Sequence, residues 1–130
     1  MAKEIFNQHH DLVQINDFNE KNSVILNAHQ LNQYYDTLLG NPFERLKYYN
    51  PLTREYQFYR TPGILRYIVG YYLHQGCLST NVNYPPEILF EELKFFRFNH
   101  QVIFDIVSNV ITRTVYLPTG ELREVNDKGR

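Results

Sequence analysis

The sequence predicts an α+β chain, or a helix-rich mixed one, on three observations. Short runs of alternating apolar residues sit near the N-terminus, at 12–16 and 24–27. Four later stretches repeat apolar residues at spacings of three and four. Gly and Pro fall between these stretches, at Gly40-Asn41-Pro42, Thr61-Pro62-Gly63, Gly76 and Pro85-Pro86.

Residues 1–11 are polar and carry the adjacent pair His9 and His10, which reads as a terminal tail. In 12–16, Leu12, Val13 and Ile15 are set against Gln14 and Asn16, which suits a short strand. Residues 17–23 form a polar, Gly-free turn, and 24–27 return as a second strand, so the pair reads as a hairpin. Over 28–39, Leu31, Tyr34, Tyr35, Leu38 and Leu39 mark one stripe of a helix. Gly40 closes it in the left-handed conformation and Pro42 forbids its continuation. The short aromatic run 43–50 ends at Pro51. A strand follows, with Tyr56 and Phe58 on one face and Gln57 and Tyr59 on the other.

Thr61 reads as an N-cap and Pro62 as the first helical residue of the next helix. Its apolar side is Ile64, Leu65, Ile68, Val69, Tyr72 and Leu73, and it ends near Gln75-Gly76. A loop, 77–86, leads to Pro85-Pro86 and a helix whose stripe is Ile88, Leu89, Leu93 and Phe96. Residues 101–111 make a further helix with Ile103, Ile106, Val107 and Val110 in register. The stretch from Thr114 reads as a hairpin or extended tail turning at Pro118-Thr119-Gly120. Leu31, Leu38, Leu39, Ile64, Ile68, Leu89, Leu93 and Phe96 are core by pattern.

Length and composition narrow the function. The 130 residues suit one domain, with 43% hydrophobic and 21% charged residues. A net charge of −1 lacks the basic excess of a general nucleic-acid binder. No apolar run reaches the roughly 18 to 20 residues that span a bilayer, and the N-terminus lacks the apolar centre of a signal peptide. The single cysteine, Cys77, permits neither an internal disulfide nor a cysteine-rich zinc site and suits a reducing compartment.

Enzymatic signals are weak. There is no Gly-rich phosphate loop and no HExxH, and neither Ser23 nor Ser79 lies in a nucleophile elbow. Cys77 and His74 at a helix end do not offer dyad geometry. Glu91 and Glu92 point about 100° apart on a helix and form no shared acid pair. The 11 Tyr and 9 Phe lie mostly at core spacing, and the Tyr excess suits a surface that buries ring edges while hydroxyls stay wet. The residues alone indicate an interaction domain without catalysis or cofactor.

Four blocks then carry a resemblance, in order, over about 12–98. They are Asp36-Thr37-Leu38-Leu39-Gly40-Asn41-Pro42; Tyr49-Asn50-Pro51-Leu52 with Arg54-Glu55-Tyr56-Gln57-Phe58-Tyr59-Arg60; Pro62-Gly63-Ile64 through Tyr67-Ile68-Val69 to Tyr71-Tyr72 and Gly76 to Leu78; and Leu89-Phe90-Glu91-Glu92-Leu93-Lys94-Phe95-Phe96. Together they resemble the T1 tetramerisation domain of voltage-gated potassium channels. The resemblance implies a BTB/POZ-like fold, a small mixed sheet near the N-terminus packed with several amphipathic helices. It implies a tail at 1–11, the T1 domain at 12–111, and a C-terminal extension or linker at 112–130.

The resemblance also implies a homotetramer of identical or related subunits at the cytoplasmic face of the plasma membrane. The membrane would be reached only through a channel portion outside this chain, and a cytoplasmic auxiliary subunit is a further implied partner. Following the family's interface blocks, the implied subunit contacts are Asn27, Asn41, Arg45, Glu55, Arg60, Glu91 and Glu92. The intersubunit zinc of some T1 types is not implied, because the matching positions fall near Ser79, Pro85, Ile106 and Val107. Tyr59 stands where the family has Asp, so the polar contact between subunits that this acid makes in the family is not implied here. Two other readings stand beside this one. The first is a stand-alone BTB-type oligomeric adaptor, for example for a cullin-3 ubiquitin ligase. The second is a small enzyme or ligand-binding domain that uses the aromatic surface.

Overall fold

The computed structural model describes residues 12–18 and 22–116. The tail at 1–11 and the turn expected at Pro118-Thr119-Gly120 lie outside the described residues. Strand β1 (Leu12–Asp17) runs antiparallel to β2 (Asn22–Asn27), from Leu12↔Asn27 to Asp17↔Asn22. Both strands are longer than their apolar runs suggest, so the connection spans only 18–21. Two short helices follow, α1 (Ala28–Asn32) and α2 (Pro42–Arg45), then one 3₁₀ turn (Leu46–Tyr48). Strand β3 (Tyr49–Asn50), absent from the sequence expectation, pairs antiparallel with β4 (Glu55–Phe58). β4 lies parallel to β1, Ile15↔Tyr56 to Asp17↔Phe58, giving the sheet order β2-β1-β4-β3. A parallel neighbour requires a crossover, and α1 and α2 lie within it. Helices α3 (Ile64–Leu73), α4 (Pro86–Phe95) and α5 (His100–Tyr116) complete the chain. The small mixed sheet with amphipathic helices is therefore α+β, as the sequence predicts.

Alternation puts Val13, Ile15, Leu26 and Phe58 on the buried face of the sheet. Ile64, Ile68, Leu89, Leu93 and Phe96 meet that core at 0% exposure, and all eight pattern-assigned core residues are buried. Each fully buried aliphatic or aromatic side chain contributes about 1.5–3 kcal/mol of transfer energy.

The helix expected over 28–39 stops at Asn32. It starts well, because Asn27 accepts from the His29 N–H and Gln30 returns a bond to the Asn27 N–H, a capping box. Beyond it the backbone turns repeatedly. Thr37 is the cause: its hydroxyl donates to the Tyr34 carbonyl (2.8 Å) and accepts from the Gly40 N–H (3.0 Å). The Leu38 N–H leaves the local chain altogether and donates to the Phe96 carbonyl at 2.9 Å. Leu31, Leu38 and Leu39 stay buried, but Tyr35, no longer in register, is 53% exposed. Gly40 is not left-handed. It is required by close approach, since a Cβ there would stand 1.9 Å from the Tyr34 carbonyl oxygen.

Other boundaries also shift. Gly63, at φ 80°, precedes α3, and Thr61 does not cap it because its hydroxyl donates to Glu92 instead. α3 closes as expected, with Gln75 and Gly76 left-handed and the Gly76 N–H on the Tyr71 carbonyl. Leu73 and Ile88, placed on apolar stripes by spacing, are exposed, at helix edges that no element among the described residues covers. α5 continues through 111 to Tyr116, so Thr114 is helical, not part of a hairpin. Arg113 on its last turns donates to the Thr80 and Val82 carbonyls, fastening the loop before α4.

Gly40→Ala is expected to lower unfolding free energy by about 3 kcal/mol, the upper range for an overpacked site. Urea midpoints with an unchanged m-value would check it, and an effect within about 0.5 kcal/mol would contradict the close approach.

Candidate assembly surface

The face of the sheet away from the core is polar. Period-two alternation sends Gln14 and Asn16 of β1, Ser23 of β2, and Glu55 and Gln57 of β4 to it. Glu55 is its centre. Gln14 Nε2 (2.7 Å) and Ser23 Oγ (3.0 Å) donate to one carboxylate oxygen, and Asn16 Nδ2 (3.0 Å) donates to the other. Asn50 donates to Gln57, which donates to Thr53. The carboxylate is thus oriented by three neutral donors, and none of the ion pairs among the described residues involves it. Asn16 Oδ1 is buried without a partner in the cluster. Leu12 and Ile25, both more than half exposed, share this face. A fixed anion on a mixed polar and apolar surface suits recognition of a complementary donor or cation.

The other implied contacts occupy different places. Asn27 is exposed and caps α1, and Asn41 caps α2 by accepting from the Phe43 and Glu44 N–H groups. Glu91 is exposed on α4 beside Phe90. Arg45 and Glu92 are not surface side chains, at 5% exposure each. Arg45 Nη1 donates to Asn32 Oδ1 (3.0 Å) and the Leu39 carbonyl (2.7 Å). Glu92 accepts from Arg60 Nε (2.9 Å) and Thr61 Oγ1 (2.8 Å), and the Arg60 guanidinium lies 3.8 Å from the Phe95 ring centroid. These bonds fasten the chain just after β4 to α4. Tyr59, in the place of the expected acid, packs its ring 4.4 Å from that of Phe18.

Gln14, Asn16 and Ser23 were not singled out by the sequence. The only signal for them is alternation, and it becomes informative once the parallel β1–β4 register is known. Among the described residues no group of three His, Cys, Asp or Glu side chains gathers as a metal set. No helix among them is long and apolar enough to cross a membrane.

Burial perturbs the tyrosines. Desolvation pushes the Tyr67 phenol up to about 12. It also raises that of Tyr72 well above the usual value, although the bond between its hydroxyl and Thr37 Oγ1 (2.6 Å) opposes the shift.

Compared with known proteins, residues 22–106 match a family model described as a BTB/POZ domain. The chain is 37% identical over 73 residues to potassium voltage-gated channel subfamily A member 2 of Mus musculus, covering 56% of this chain and 15% of that protein. It is 38% identical over 73 residues to subfamily A member 4 of Homo sapiens, covering 56% and 11%. Subfamily A member 6 of Mus musculus matches at 36% over 73 residues, covering 56% and 14%. The chain thus spans a small fraction of these relatives' length.

Glu92→Gln is expected to cost about 2 kcal/mol, less than the roughly 3–5 for breaking a fully buried pair because Arg60 is partly exposed. Glu91→Gln is expected to stay within about 0.5 kcal/mol. Urea unfolding of both variants checks the contrast. The tyrosines set a second expectation. Their folded pKa values lie above the unfolded value of about 10, so the folded chain holds these protons more tightly. That stability is full below pH ~10 and is lost as pH rises toward about 12. Tyr67→Phe should flatten this alkaline decline in denaturation curves.

Proposed function

The chain belongs to the BTB/POZ domain family, and from that membership we propose that it is the T1-type tetramerisation domain of a voltage-gated potassium channel subunit. Its role is assembly, without catalysis, at the cytoplasmic face of the membrane, and the channel's membrane portion belongs to sequence outside this chain. Residues 12–111 are the assembling unit, flanked by 1–11 and 112–130.

A ring follows from a head-to-tail contact whose rotation closes, so two different surfaces of one subunit must fit each other. The single observation that carries the reading is the Glu55 carboxylate, held by Gln14, Asn16 and Ser23 on the sheet face away from the core. A fixed anion rewards a neighbour that presents a cation or donor and penalises one that does not, by several kcal/mol. That difference restricts which subunits co-assemble. In this reading Asn27, Glu55 and Glu91 touch the neighbour. Asn41, Arg45, Arg60 and Glu92 hold the elements that present them.

Light scattering across concentrations, with and without a strong chelator, tests the assembly. The expected mass is about 62 kDa, four times the 15.6 kDa protomer, and insensitive to chelator. Glu55→Lys is expected to raise the dissociation constant about a hundredfold, ~2.7 kcal/mol, with the far-ultraviolet spectrum unchanged. A monomer at every concentration would defeat the proposal, and a pentamer would favour the oligomeric adaptor.

A further inference from the structure

A groove of about 810 Å³ opens where β1 and β4 part, below the three residue pairs that join them. Its rim is apolar and uncovered: Leu12, Phe43 and Leu46 are 64%, 73% and 56% exposed. Among the described residues its charged lining consists of two arginines, Arg45 and Arg54, and includes no acidic residue. Arg45 is 5% exposed, yet its acceptors are neutral and its Nε has none. The Tyr56 ring, with its centroid 5.9 Å away, supplies only weak compensation for the charge. None of the ion pairs among the described residues includes Arg45. A guanidinium left in this state is costly, and an anion arriving beside it removes the cost. The groove therefore suits a short peptide with one carboxylate and neighbouring apolar side chains.

We propose that the groove binds the chain's own N-terminal segment, residues 1–11, with the Glu4 carboxylate on Arg45 and Ile5-Phe6 across Leu12, Phe43 and Leu46. Two observations select this occupant. The segment joins the described chain at Leu12, which is itself on the rim, so it is delivered at the groove and held there at an effective concentration in the millimolar range. Its sequence places one carboxylate beside two apolar residues, Glu4 followed directly by Ile5 and Phe6, with the cation Lys3 on the far side of Glu4. Glu4 lies eight residues before Leu12, a tether of up to about 28 Å when extended, long enough to fold back. The proposal concerns a contact within one chain and does not require the ring, but the segment would occupy Leu12, which the assembly face also presents.

The test uses the full chain and two tail substitutions, Glu4→Gln and Phe6→Ala, with amide hydrogen exchange and nuclear Overhauser contacts read at two concentrations tenfold apart. The expected result is a contact between the Phe6 ring and the Leu46 or Phe43 side chain. Exchange at 12–14 and 43–46 should rise at least fivefold in each variant, equally at both concentrations. Exchange within twofold of the parent in both variants would overturn the proposal. So would an effect of Phe6→Ala without one of Glu4→Gln, because Arg45 would then not be the anion's partner. Protection that grows with concentration and ignores both substitutions would assign the groove to a second copy of the chain instead.

Discussion

Three residue pairs, Ile15–Asp17 of β1 against Tyr56–Phe58 of β4, join segments some forty residues apart in sequence, and the rest of the molecule is arranged around them. Because the pairing is parallel, the chain must cross from the end of β2 to the start of β4, and α1, α2 and β3 are placed along that crossing. On one side of the sheet the register sets Ile15 and Phe58 in the core. On the other it carries Glu55 to within 2.7 Å of Gln14 and 3.0 Å of Asn16. Where the pairing ends, the strands separate and the groove beside Arg45 begins. Core, polar face and groove are three consequences of one register. A slip of one residue would exchange the faces of β4, burying Glu55 and exposing Phe58.

A second constraint holds the crossing in shape. Thr37 bonds locally to Tyr34 and Gly40 and receives the Tyr72 hydroxyl, while Leu38 next to it bonds to Phe96. One short polar side chain thus ties the turns after α1 to α3, and the adjacent amide ties them to the end of α4. The local hydrogen bonds compete with helical ones and win, because Leu31, Leu38 and Leu39 all reach the core by this route. A continuous helix would satisfy the backbone within itself but lose the bond from Leu38 to Phe96.

This explains what was legible in the sequence. α3, α4 and α5 are long enough for the apolar period to mark them, and their apolar stripes match the buried positions except at Leu73 and Ile88, which are exposed, and Val107, which is half-buried. The stretch 28–39 has the same period but breaks, since the signal is a Thr whose hydroxyl prefers its own backbone, and spacing of apolar residues is blind to that. For the candidate surface, residue type marks Glu55 only as a charged group on a strand, and the family resemblance adds it to the implied subunit contacts. Its three donors come from β1 and β2, up to 41 residues away, and are ordinary polar residues until the sheet is assembled. Arg45 and Glu92 show the opposite limit: charge predicts solvent exposure, and here tertiary hydrogen bonds, 32 residues apart in one case, hold both inside.

The distribution of charge bears on assembly. Arg60–Glu92 is satisfied within the subunit, fastens α4, and offers little to a neighbour. Glu55 is oriented by neutral donors and has no ion-pair partner among the described residues, so its free energy depends on what approaches the sheet. A contact built on such a group gains less from area than from match. In the proposed assembly, Leu12 and Ile25 beside it would supply apolar surface that any partner could cover, while the carboxylate would discriminate between partners with and without a cation. Neutral donors suit that task better than an internal arginine would. They fix the carboxylate's direction and prevent collapse onto a local cation, and they leave its charge for the partner to neutralise.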